Sequence, residues 1–156
     1  MASAILITLP GRIYIRRFRP SDLARILELE NASFPKAPYP RELFEDLYRD
    51  CGPLFLVAHS TGAIAGYMVT CVAGNRAEIV SVAVNPEQRR AGVASALMRV
   101  TLNRLRARGA AVVSLMVREK NAAARKFYDG VGFRRVRRIP RYYENGAGGI
   151  RMTLVL

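Results

Sequence analysis

Hydrophobic and polar positions change period several times along this chain, and each change marks an element. Ile13-Tyr-Ile-Arg-Arg-Phe18 alternates and predicts a first strand. Pro20-Ser21-Asp22 supplies helix-start chemistry, and Leu23, Ile26 and Leu27 follow at helical spacing, with Phe34 further along the same stripe. Pro35, Pro38 and Pro40 turn residues 34–40 into a loop, because proline fixes φ and removes the N–H that a helix needs. A short second helix is expected from Arg41 to Arg49. Leu54–His59 and Ala63–Thr70 flank Ser60-Thr61-Gly62 and predict a hairpin. The β-branched run Glu78–Val84 predicts a central strand. Ala94, Leu97, Met98, Thr101, Leu102 and Leu105 then mark one buried helix face, with Gly109 as its C-terminal stop. Ala111–Val117 is a further buried strand, and Asn121 opens a shorter helix ending near Gly130-Val-Gly-Phe133. Arg134–Arg138 and Ile150–Leu156 complete the pattern as two strands around a glycine-rich loop. The order β-α-α-β-β-β-α-β-α-β-β predicts an α/β (α+β) fold with a mixed sheet. No repeat or linker divides it, so residues 1–156 are read as one domain.

Composition narrows the chemistry. With 51% hydrophobic residues the chain is not a disordered one, and no apolar run approaches the ~20 residues that span a bilayer. The stretch Ala4–Pro10 is too short for a signal segment, which predicts a soluble, cytoplasmic protein with no membrane partner. His59 is the only histidine, so neither a histidine-based metal site nor a Ser-His triad is expected. Cys51 and Cys71 stand apart without CxxC spacing and are expected as reduced, partly buried thiols. A single pairing between them stays open, since some intracellular proteins of hyperthermophiles carry disulfides. The net charge of +13 is almost all arginine, with Lys36, Lys120 and Lys126 the only lysines. Arginine's planar fork suits phosphate. Charge alone does not choose among a phosphorylated cofactor, a ribosome or RNA, and an acidic peptide. The arginines are scattered through every element and no nucleic-acid-binding signature is present, so nucleic acid is not expected as the primary ligand.

One segment joins this charge to a site. Val82-Ala83-Val84 leads through Asn85-Pro-Glu-Gln88 into Arg89-Arg90-Ala91-Gly92-Val93-Ala94-Ser95 at the start of the long helix. A helix N-terminus offers unpaired N–H groups and a partial positive charge, and Gly92 and Ala94 remove bulk in front of them. Arg89 and Arg90 add cationic donors.

This Arg-x-x-Gly-x-Ala segment after a strand resembles the coenzyme A loop of the GNAT superfamily of N-acetyltransferases. The run Val117-Arg-Glu-Lys-Asn121-Ala-Ala-Ala-Arg-Lys-Phe-Tyr128-Asp-Gly-Val-Gly-Phe133 resembles that family's second signature. The likeness extends from about Ile13 to the C-terminus. It implies a mixed, mostly antiparallel seven-stranded sheet with about four helices, and acetyl-CoA as the donor. Phe34-Pro35, Leu115-x-Val-Arg118, Asn121-Ala-Ala-Ala and Arg141-Tyr-Tyr143 look more narrowly like RimI-type and archaeal N-terminal acetyltransferases. Those act on the α-amino group of protein chains, including ribosomal proteins.

The resemblance implies direct attack of a free amine on the thioester within a ternary complex. Val82, Ala83 and Val84 are expected to pair with the pantetheine arm through their backbone, and Arg89 to Ser95 to hold the pyrophosphate. Asn121 is expected to fix the cofactor arm, with helix capping as its equally natural role. Tyr128 is the expected general acid. RimI-type proteins carry a Glu in Leu-Glu-Val-Arg where this chain has Met116, which takes no proton. Glu78 is therefore expected to act through a water as the base, or else to be an exposed strand-end charge. An α-amine of pKa ~8 is roughly a tenth neutral at pH 7, far more than a lysine near ~10.4, so a weaker base suffices for it. The acceptor groove is expected between residues 34–40 and 138–149, gripped by Phe34, Tyr39, Tyr142 and Tyr143, with Gly146–Gly149 as a mobile closing loop. Rival readings are a lysine or small-amine acetyltransferase, a basic nucleic-acid-binding module, and a cofactor-binding domain made inactive by Met116.

Overall fold

The structure is a computed structural model that describes residues 5–7 and 12–156. In chain order its strands are β1 (Ile5–Ile7), β2 (Ile13–Arg17), β3 (Phe55–Ser60), β4 (Ala63–Ala73), β5 (Arg76–Val84), β6 (Val112–Arg118), β7 (Arg134–Ile139) and β8 (Gly149–Val155). Its helices are α1 (Leu23–Ser33), α2 (Arg41–Cys51), α3 (Val93–Ala107) and α4 (Ala122–Val131). All the strands join one sheet in the order β1-β2-β3-β4-β5-β6-β8-β7. Every neighbouring pair is antiparallel except β5 and β6.

The seven strands and four helices expected from periodicity are present, and β1 adds an eighth strand beside β2. Of the stretch Ala4–Pro10, only Ile5–Ile7 falls among the described residues. Thr61 and Gly62 both take positive φ and form the tight turn between β3 and β4, the geometry that matches strand twist. Phe34 lies just past α1 with φ −133°, so it belongs to the loop rather than to the helical stripe. Among the described residues no helix is long and apolar enough to cross a membrane.

Alternate residues of β3 divide two cores. Leu56 and Ala58 join Leu97, Leu105, Leu115 and Met152 on the side of α3 and α4. Phe55 and Val57 join Phe44, Tyr67, Ile26 and Leu29 on the side of α1 and α2. The entry to α1 is pinned by a buried ion pair, with Arg16 donating to both carboxylate oxygens of Asp22 at 2.8 Å. Burial alone would push the Asp22 carboxyl up, but the Arg16 hydrogen bonds, the Arg19 N–H and both positive charges hold it below its ordinary range. His59, the lone histidine, accepts from Arg16 Nε at 3.1 Å and completes this structural cluster.

The cysteines correct the sequence reading. Cys51, ending α2, is disulfide-bonded to Cys71 on β4. Their separation of 20 residues hid a contact made only when α2 packs on the sheet.

The feature that creates the site is the pairing of β5 with β6. It runs from Arg76 opposite Val112 to Ile79 opposite Leu115 and then stops, although both strands continue. A bulge in the β4 pairing, between Val69–Ser81 and Thr70–Ile79, coincides with that point and leaves Val80 unmatched. Bulges bend a strand and increase its twist. The two strand ends therefore splay and leave a gap in the middle of the sheet.

Candidate active site

A cleft of about 320 Å³ fills this splay. Ile79, Val80, Ser81 and Val82 form one wall, and Leu115, Met116, Val117 and Arg118 form the other. Asn121, which precedes α4, and Ala124 and Tyr128 within it close the side that faces α3. Glu30 of α1, the 34–40 loop and Tyr142, Tyr143 and Glu144 border the opposite side. The sheet is thus open from both faces at one place, as a reaction between two separately bound substrates requires.

On the first face, α3 begins at Val93 with Gly92 as N-cap in the left-handed region, φ +86°, where a side chain would be strained. No side chain caps this end, and the first helical bond in place is from the Ala96 N–H to the Gly92 carbonyl. The N–H groups of Val93, Ala94 and Ser95 are left to bind an anion. Arg89, Arg90 and Ala91 are exposed in the approach, and Arg90 also holds positive φ, +68°. Gly66 lets this helix end sit close on the sheet: an added Cβ there would meet the Ala83 carbonyl at 2.9 Å and Val93 at 3.0 Å. These features fit the pyrophosphate of coenzyme A. Val82 lines the cleft and Val84 packs toward α3, whereas the Ala83 side chain is buried on the α1 and α2 side, leaving only its backbone for a ligand.

Asn121 caps α4, the second of its two expected roles. Its amide oxygen accepts from the Ala124 N–H at 3.1 Å, which caps α4, and its NH₂ group is left as a donor beside the cleft. Tyr128 is 6% exposed and packs edge-on against Phe127 and Phe133. Its hydroxyl makes no hydrogen bond among the described residues. Burial, helped by Tyr143, pushes its phenol far above the ordinary value, so it keeps its proton at neutral pH.

On the second face, Phe34, Tyr39, Tyr142 and Tyr143 come together as expected. Arg118 ties the two loops, its guanidinium 4.0 Å from the Tyr143 ring centre and 6.0 Å from that of Phe34. The glycine-rich loop is held rather than loose: Gly146 N–H donates to Tyr143, Tyr143 N–H to Ala147, and Glu119 N–H to Gly148.

The carboxylates differ from the sequence reading. Glu78 does not line the cleft. It pairs with Ser114 at the closed part of the splay, and its carboxylate lies 3.7 Å from Arg151. Glu30 does line the cleft and is 1% exposed. It accepts from the Tyr67 hydroxyl and, at 2.8 Å, from the Tyr39 N–H, and Tyr67 is in turn 2.9 Å from Ser81. Burial raises the Glu30 carboxyl above its ordinary value against the pull of those two donors and the charge of Arg118. Glu30 is not among the residues that the sequence singles out. Its signal was position: it stands seven residues after Leu23 and four after Ile26, on the apolar stripe. A carboxylate there must be buried.

Comparison with known proteins agrees with this geometry. The Acetyltransferase (GNAT) family model matches residues 23–133. The chain is 34% identical over 142 residues to an uncharacterized N-acetyltransferase of Methanocaldococcus jannaschii, covering 88% of each. It is 26% identical to an N-alpha-acetyltransferase of Sulfurisphaera tokodaii, covering 94% of this chain and 95% of that one. Among solved structures it resembles Ard1 from Thermoplasma volcanium, with TM-score 0.88 and 30% identity over 92% of this chain and 97% of that one. An uncapped helix start and an aromatic groove, meeting in a splayed sheet, thus occur in a chain that belongs to the GNAT family of acetyltransferases and takes its acetyl group from acetyl-CoA.

Proposed function

We infer that this protein acetylates the N-terminal α-amino group of protein chains, with acetyl-CoA and acceptor bound together on opposite faces of the sheet. The observation that carries the reading is the acceptor face itself: a buried carboxylate, Glu30, beneath aromatic walls from two loops that Arg118 ties together. A chain end, with its flat peptide backbone, fits between such walls. The N-alpha-acetyltransferase name of the Sulfurisphaera relative supports the same acceptor. A cytoplasmic location goes with that substrate.

Bound at α3, acetyl-CoA supplies a thioester carbonyl for attack. Glu30, whose proton affinity burial raises, takes the proton of the α-ammonium group directly or through a water. Tyr128 gives its proton to the departing sulfur. Asn121 and the backbone of Val82 to Val84 hold the cofactor arm, and Arg89 to Ser95 hold its phosphates. Glu30 takes over the role that the sequence reading gave to Glu78, and Met116 therefore does not make the site inert.

Incubation with acetyl-CoA and a panel of protein N-terminal peptides, ribosomal ones included, alongside lysine side-chain and small-amine acceptors tests this. Mass spectrometry should find the acetyl group on the α-amine. Acetylation confined to lysine or to small amines would refute the assignment.

A further inference from the structure

The acceptor groove does not end at the cleft. Met116 lines the cleft and is paired with Arg151 on β8, so the same sheet face continues outward across β6, β8 and β7. The register places Arg151 and Thr153 of β8 on this face, with Arg137 opposite Arg151 and Arg134 opposite Thr153. The Ser114–Thr153 hydroxyl contact at 3.2 Å and the Arg151–Glu78 contact confirm the shared side. No residue of β6, β7 or β8 belongs to the apolar core under α1 and α2, which ends at β5. The result is a trough with a helical wall on one side and an arginine-bearing floor.

Glu78 is engaged with Arg151. Arg134 and Arg137 are exposed and make no hydrogen bond or ion pair among the described residues. Protecting an edge strand from pairing would need no more than scattered charge. Here all three cations of β7 and β8 on this face point the same way as the cleft opens. A strand rises about 3.3 Å per residue. Neighbouring strands lie about 4.8 Å apart, so Arg151 and Arg137 stand roughly 5 and 10 Å across the sheet from Met116 in the cleft wall.

Resting on the α-amine reading above, we propose that this arginine floor selects acceptors with acidic residues downstream of the acetylated N-terminus. An extended chain whose first residues fill the cleft lays about its fourth to seventh residues over Arg151, Arg137 and Arg134. Carboxylates there pair with the guanidinium groups of Arg134 and Arg137, whereas lysines meet a field of their own sign.

The test compares kcat/KM for peptides identical through residue three and carrying Glu, Gln or Lys at residues four to seven. The expected order is Glu above Gln above Lys, with about tenfold between the extremes at low salt and less at high salt. R134E/R137E should reverse the order while leaving the KM for acetyl-CoA and thermal unfolding unchanged, and R134Q/R137Q should flatten it. Acetylation of all three peptides at one rate, or a preference that survives charge reversal, would overturn the proposal and leave the α-amine reading intact. No acetylation of any peptide would overturn both. Binding of an oligouridine that depends on Arg134 and Arg137, without peptide discrimination, would reassign the floor to RNA.

Discussion

Glu30 shows how much a single side chain depends on its surroundings. Tyr67 and the Tyr39 N–H fix it, and burial raises its proton affinity above the ordinary value of 4.5. A base works when deprotonated, so kcat/KM should fall with decreasing pH through the Glu30 pKa, at a higher pH than an ordinary carboxylate would give. E30Q should abolish that acid limb and lower kcat about a hundredfold, with little change in the KM for acetyl-CoA. E78Q should leave the limb in place. A pH–rate series on the three proteins decides between the two carboxylates, and loss of the limb in E78Q alone would restore Glu78 as the base. Tyr128, Asn121 and the aromatic residues were legible in the sequence because their motifs are contiguous. Glu30 was not, because nothing local to it reveals Tyr67, 37 residues away.

At the scale of elements, α2 packs on the sheet through Phe44 and Leu47, and Cys51–Cys71 ties its end to β4. Removing the bond frees a 20-residue separation in the unfolded chain. C51S/C71S, or reduction of the wild-type protein, should therefore cost about 3 kcal/mol. Thermal unfolding with and without reductant measures this, and an unchanged Tm would count against a formed disulfide. The elements themselves were largely readable. Their apolar periods, proline breaks and glycine stops are properties of neighbouring residues. β1 escaped because three residues, Ile5–Ile7, carry too little pattern to set them apart.

For the whole molecule, a net charge of +13 attracts the anionic donor acetyl-CoA. Long-range attraction of that kind is screened once the Debye length falls from about 10 Å at 0.1 M salt to about 3 Å at 1 M. The KM for acetyl-CoA should rise several-fold over that range while kcat changes little, as initial-rate measurements in increasing salt would show. A rise in KM equally large for R89A/R90A would mean that those two arginines do not contribute to the attraction.

Period, turn chemistry and two short motifs already contain the fold class and the donor, because each depends on residues close together along the chain. The cysteine pairing, the identity of the cleft carboxylate and the alignment of Arg134, Arg137 and Arg151 do not. They depend on where β5 parts from β6 and on which strands lie side by side. Such contacts join residues distant in sequence, and only packing brings them within reach of one another.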